Sequence, residues 1–256
     1  MISVTSAQLD AWLVAFIWPF TRILALIAAA PITSRPEFPN RAKVGLAVLI
    51  SLVVAPSLPV LPQIDPASWA GLFLLANELA IGVALGFMMR LVFTAVEMAA
   101  DLMGLQMGLG FAQFYDISAA AQIPVLGRFF SFAALLIFLA IDGHLLLFAV
   151  LSESFTTLPI GGGTSDVFWK TLASYGGNMV YAALSLALPV IAALLVTNLS
   201  LGVLTRAAPQ LNIFAVGFPI TLMVGLVAAI LSITYLLPVF EHTVRDTVSM
   251  MLKLRM

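Results

Sequence analysis

Asn77-Glu78-Leu79-Ala80-Ile81-Gly82-Val83-Ala84-Leu85-Gly86-Phe87-Met88-Met89-Arg90 is the stretch on which the fold turns. It lies inside an apolar run from Trp69 to Leu102. As one helix of about 34 residues this run is roughly 50 Å long, well beyond a hydrocarbon core of about 30 Å. Such a helix must tilt, kink or leave the bilayer. Along it Glu78, Gly82, Gly86, Arg90 and Thr94 recur every four residues, a single ridge of small and charged side chains. Ridges of this type favour oblique helix crossings. Glycines admit a second backbone, and a charge in hydrocarbon needs a partner, so the ridge is expected to face protein and not lipid.

Outward from this helix the same solvent logic holds. The 256 residues are 62% hydrophobic and 9% charged, with a mean hydropathy of +1.12. Soluble domains run at about 25% charged residues; this chain has too little polar surface for water. Apolar runs near Ala11–Ala30, Ala42–Leu61, Trp69–Leu102, Phe129–Leu151, Asn178–Arg206 and Leu211–Phe240 predict an all-α membrane protein of about six long hydrophobic helices. From Glu241 onward, Val244, Val248, Met251 and Leu252 recur opposite Arg245, Ser249 and Lys253, which predicts a short amphipathic helix. No Lys or Arg precedes the first run, and Arg22 interrupts it, so it reads as a span and not as a cleaved signal peptide. The basic residues Arg35, Arg41, Lys43, Arg90, Arg128 and Arg206 outnumber Lys170, Arg245, Lys253 and Arg255 when the N-terminus is placed outside.

A formal net charge of −1 argues against nucleic-acid binding, which needs a basic footprint. Without cysteine, thiolate metal sites, disulfides and Cys nucleophiles are excluded. His144 and His242 form no His-rich cluster, and no phosphate loop, zinc-protease or nucleophile-elbow motif is present. No enzyme activity, cofactor or metal is expected. The intramembrane charges Arg22, Glu78, Arg90, Glu97, Asp101 and Asp142 have two readings, helix-packing pairs or an ion relay. Arg90, Glu97 and Asp101 share one side of the third helix, so Arg90 can neutralise a carboxylate there. The relay reading makes the chain a small-solute secondary transporter built on Glu78, Arg90 or Asp101.

Two loops carry more. Leu204-Thr-Arg-Ala-Ala-Pro-Gln-Leu-Asn-Ile-Phe214 is short enough to force the last two helices into an antiparallel hairpin, with Pro209 marking the turn. Arg206 suits the exposed carbonyls at one helix end, and Gln210 or Asn212 suits the start of the next. The other loop begins at Gly104 and is apolar yet studded with glycine. The run Arg206-Ala-Ala-Pro-Gln-Leu-Asn-Ile-Phe214 with Gly217-Phe-Pro219 resembles the signature of the FliR family of flagellar export proteins and their injectisome counterparts. Gln106-Met-Gly-Leu-Gly-Phe111, Tyr115-Asp116 and Pro124-Val-Leu-Gly-Arg-Phe-Phe130 are similar to that family's central loop, and Asp142-Gly-His144 falls in its place. The chain departs from the family at Asp116-Ile-Ser, where a proline is expected after the aspartate.

The resemblance covers the whole chain and implies a subunit of the flagellar type III protein export gate. The gate is a hetero-oligomeric helical cone in the bacterial inner membrane, within the flagellar basal body. It implies FliP-like, FliQ-like and FlhB-like partner subunits, membrane lipid, and unfolded flagellar proteins as the exported substrates. Residues 1–165 then correspond to a FliP-like part that includes a central plug loop at 103–128. Residues 170–256 correspond to a FliQ-like hairpin and tail. Gly104, Gln106, Met107, Gly108, Leu109, Gly110 and Phe111 become the pore plug, glycines giving backbone freedom and Met107, Leu109 and Phe111 deformable apolar bulk. Arg206, Pro209, Gln210 and Asn212 become the cytoplasmic hairpin tip near the FlhB-like subunit.

Overall fold

The computed structural model describes residues 6–58, 62–110, 125–210 and 213–254. These residues form seven α-helices, α1 (Ser6–Ala29), α2 (Asn40–Val54), α3 (Trp69–Gln106), α4 (Val125–Ala140), α5 (Gly143–Thr157), α6 (Asp166–Ala207) and α7 (Ile213–Lys253), with a 3-10 turn at Ala55–Ser57 after α2. No strand occurs among the described residues. The chain is an all-α membrane protein.

Helix ends follow from local chemistry. Ser68 caps α3, its Oγ accepting the Gly71 N–H at 3.0 Å, and Ser165 caps α6 by accepting the Phe168 N–H at 3.3 Å. Asp166 lies in the first turn of α6 and Arg206 in its last, each at the end its charge favours. α3, α6 and α7 have 38, 42 and 41 residues. At 1.5 Å per residue each is about 57 to 63 Å long, roughly twice the hydrocarbon core. The excess length predicted for the third helix is therefore shared by the last two.

Three expectations need correction. The run Phe129–Leu151 is not one continuous helix: α4 ends at Ala140 and α5 starts at Gly143, the pair bent by 66°, because Asp142 sits at φ 56 in the left-handed region, which a helix cannot pass through. The amphipathic tail is not a separate helix. α7 runs unbroken through Pro219 and Pro238 to Lys253, and Val244 and Met251 of the expected apolar stripe are buried while Leu252 is 39% exposed. Finally, α3 continues four residues past Leu102 and α4 begins at Val125, so Gly104 and Gln106 are helical and not part of a loop.

The chain divides into two compact units. The first gathers α1, α2, α3 up to Leu91, α5, α6 up to Gly176 and α7 from Val244. Its core holds Trp18, Ile23, Ile81, Leu85, Met88, Phe155 and Phe168. The second gathers the remainder of α3, α4, α6 from Gly177 and α7 up to Thr243. There Phe93 stacks edge-on against Phe138 and Phe240 with ring centroids 5.4 Å apart in both pairs, a favoured aromatic geometry.

Candidate functional site

In the first unit, α1 and α3 touch backbone to backbone. A Cβ on Gly82 would stand 2.3 Å from the Arg22 carbonyl oxygen and 2.7 Å from the Ala25 Cβ; one on Gly86 would stand 2.7 Å from the Ala29 Cβ. One turn along α3 matches one turn along α1 in the same direction, so the two helices run parallel. The ridge read from the sequence is thus a protein face over Glu78, Gly82 and Gly86, all buried, and it ends before Arg90, which is exposed.

The close approach brings Arg22 to Glu78. Arg22 Nε donates to Glu78 Oε2 at 2.6 Å, and both side chains are 0% exposed. Nη1 donates to the Ser154 carbonyl at 2.8 Å and to Ser154 Oγ at 3.2 Å, while Nη2 donates to the Leu158 carbonyl at 2.8 Å. Both carbonyls belong to the C-terminal end of α5, where a cation is favoured; the Ser154 carbonyl accepts the Leu158 N–H at 2.9 Å as well. The guanidinium carbon also lies 4.5 Å from the Phe155 ring centroid, within reach for a cation–π contact. A planar fork with donors in several directions suits this position, and a lysine would not. Trp18 Nε1, Glu78 Oε1 and His144 Nδ1 are buried without a hydrogen-bond partner among the described residues, all three in this same unit.

The second unit holds the start of the central segment. The Met107 N–H reaches the Met103 carbonyl at 3.0 Å and the Gly108 N–H the Leu105 carbonyl at 3.1 Å; Gly108 then turns to φ 83, the left-handed conformation with which glycine ends helices. Met107 is fully buried, Gln106 is exposed, and Gly108, Leu109 and Gly110 are half-buried. Gly104 sits in α3 with nothing nearer its missing Cβ than Leu109 and Leu126 side-chain atoms at 3.8 Å. Phe111 lies outside the described residues. Here too Ser131 Oγ donates to Glu97 Oε1 at 2.9 Å, tying α4 to α3; Asp101 is exposed. At the far turn, the Ala208 N–H bonds the Leu204 carbonyl at 2.9 Å. Arg206, Pro209 and Gln210 are exposed there, and Asn212 lies outside the described residues.

Residues 13–247 match the family described as Bacterial export proteins, family 1. A flagellar biosynthetic protein FliR from Pectobacterium carotovorum subsp. carotovorum is 46% identical over 244 residues, which is 94% of this chain and 93% of the relative. The chain belongs to the FliR family. A FliR protein from Escherichia coli (strain K12) is 45% identical with the same coverage, and one from Bacillus subtilis (strain 168) is 26% identical over 93% of each chain.

For a FliR-family chain, the six charges singled out in the sequence divide by environment. The structure brings Arg22 and Glu78 together. It places Arg90, Glu97 and Asp101 on exposed positions of α3, and Asp142 at the α4–α5 break. The partners of Arg22 on α5 escaped sequence reading because two of them are backbone carbonyls, which no residue type announces. Gly225 also escaped: a Cβ there would collide with Met107. Its spacing from Gly217, Thr221 and Ala229 was a usable signal, being the same four-residue ridge that marked α3.

Proposed function

We propose that this chain is a subunit of the flagellar type III protein export gate and forms part of the channel through which unfolded flagellar proteins leave the cell. The observation that carries the reading is identity of 46% over nearly the full length of a protein named as a flagellar biosynthetic protein. The lengths of α3, α6 and α7 support it: helices about twice as long as the hydrocarbon core fit an assembly that rises out of the membrane plane. On this reading the chain sits in the bacterial inner membrane within the flagellar basal body and binds FliP-like and FliQ-like subunits. Residues 1–165 act as the FliP-like part, and residues 170–256 as the FliQ-like hairpin and tail.

Two segments then have roles. Gly104 to Phe111 plugs the closed channel; α3 ends at Gln106, and non-helical backbone beyond it is tolerated at membrane depth where it lines a cavity or is buried in protein. Arg206, Pro209, Gln210 and Asn212 form the cytoplasmic tip that meets the FlhB-like subunit. The exposure of Arg206, Pro209 and Gln210 leaves them accessible to a partner.

The test is coexpression with the genomic neighbours, followed by native mass measurement of the detergent-purified material. A large complex holding one copy of this chain with several copies of two small helical partners is expected. A monomer or homodimer that ignores them would reject the gate. In cells that assemble the complex, deletion of Gly104 to Phe111 is expected to let small ions leak; unchanged conductance would reject the plug.

A further inference from the structure

We propose that Gly225 is the seat of Met107, and that this contact positions the plug residues in the closed gate. The inference rests on the plug reading above and adds to it the residue of α7 that holds the plug in place.

A Cβ on Gly225 would stand 2.4 Å from Met107 Cγ and 2.9 Å from both Sδ and Cε. All three outer atoms of the methionine therefore lie against the bare Cα, and any larger residue there requires the Met107 side chain to move. The seat is prepared on both sides. Gly217, Thr221, Gly225 and Ala229 recur every four residues on α7, and all four are buried. The one hydroxyl in that row is taken up by its own helix, Thr221 Oγ1 donating to the Phe218 carbonyl at 3.0 Å. What remains is a row of small residues with no free hydroxyl donor, a surface to which an unbranched, polarisable thioether adapts well.

Position along the chain turns this packing into a device for placement. Met107 is the first residue after α3, and Gly108 follows at φ 83. Gly108 has no side chain to hold it, and Gly110 has its missing Cβ only 3.2 Å from Leu105 Cδ2. The fully buried side chain of Met107 is therefore the anchor that sets the direction in which the chain leaves α3. Lifting it from Gly225 frees the glycines beyond it. Restoring it closes the segment again.

The experiment uses the full chain in cells that assemble the gate with its genomic partners. Because the protein has no cysteine, the double variant M107C/G225C offers a single thiol pair at the seat. Oxidant is expected to join the pair and stop export of flagellar subunits, and reductant to restore export. G225V is expected to leak small ions as the Gly104–Phe111 deletion does, and M107A added to G225V to reduce that leak, which a general loss of folding would not allow. Absence of a crosslink in assembled gates, or a crosslinked gate that exports as well as the reduced one, would overturn the proposal even if G225V failed to fold. A Gly104–Phe111 deletion that does not leak defeats the plug reading alone; the seat then stands or falls on the crosslink.

Discussion

Arg22 and Glu78 meet at 2.6 Å with both side chains fully buried, and the remaining donors of Arg22 run to the end of α5. One side chain thus joins α1, α3 and α5. Removing it leaves a buried carboxylate without its cation, a change that costs about 3–5 kcal/mol at buried pairs. R22A is expected to lower the thermal midpoint of the detergent-purified protein sharply, and R22K by less, since lysine restores charge but not the fork. Equal midpoints for R22A and the parent would show that the pair does not hold the unit together.

The parallel contact of α1 and α3 gives a prediction with an internal control. G82A places a methyl group 2.3 Å from the Arg22 carbonyl oxygen and is expected to destabilise by about 1–3 kcal/mol, the usual cost of overpacking. G45A adds the same methyl in α2 where nothing lies within 4 Å. There the helix gains up to about 1 kcal/mol from alanine's propensity. Thermal midpoints that fall for G82A and hold or rise for G45A confirm the contact; two equal shifts would contradict it.

These two sites also show how much of the fold was legible. The Glu78–Gly82–Gly86 ridge could be read because a four-residue repeat is a property of one helix. Its partner could not, because the complementary face of α1, Arg22, Ala25 and Ala29, lies in a helix with further alanines at Ala28 and Ala30, and a four-residue pair of alanines does not say which helix it meets. The break between α4 and α5 was missed for a different reason. Apolar residues dominate Phe129–Leu151 on both sides of Asp142-Gly-His144, and length and hydropathy alone do not show that Asp142, a residue type that tolerates the left-handed region, breaks the helix there. The end of α6 was legible because Pro209 marks a turn directly. The small-residue ridge around Gly225 was legible in the same way, but its pairing with Met107 was not, since nothing in either residue type announces a partner 118 positions away.

Asp142 is the one described non-glycine residue at positive φ, and its side chain makes no capping hydrogen bond. The backbone and not the carboxylate should therefore decide what is tolerated. D142G is expected to keep the parent's stability and export. D142V forces a β-branched residue into the left-handed region, at a cost of about 1–2 kcal/mol. Motility of cells carrying each variant, with immunoblots for chain level, checks the order. Loss of motility in D142G at normal chain level would mean that the carboxylate itself is needed.

Tyr175 and Thr247 join their hydroxyls across the start of α6 and the end of α7, 72 residues apart in sequence and both buried. A phenylalanine at 175 removes only the phenolic oxygen, and a valine at 247 replaces only the hydroxyl, so the ring and the β-branch keep their packing. Each single variant is expected to lose about 1 kcal/mol, the net worth of an ordinary hydrogen bond. Because the two share one interaction, Y175F/T247V should lose less than the two singles together, with a coupling of about 0.5–3 kcal/mol. Denaturation midpoints of the parent, both singles and the double close the cycle. Strict additivity would show that the hydroxyls do not stabilise one another.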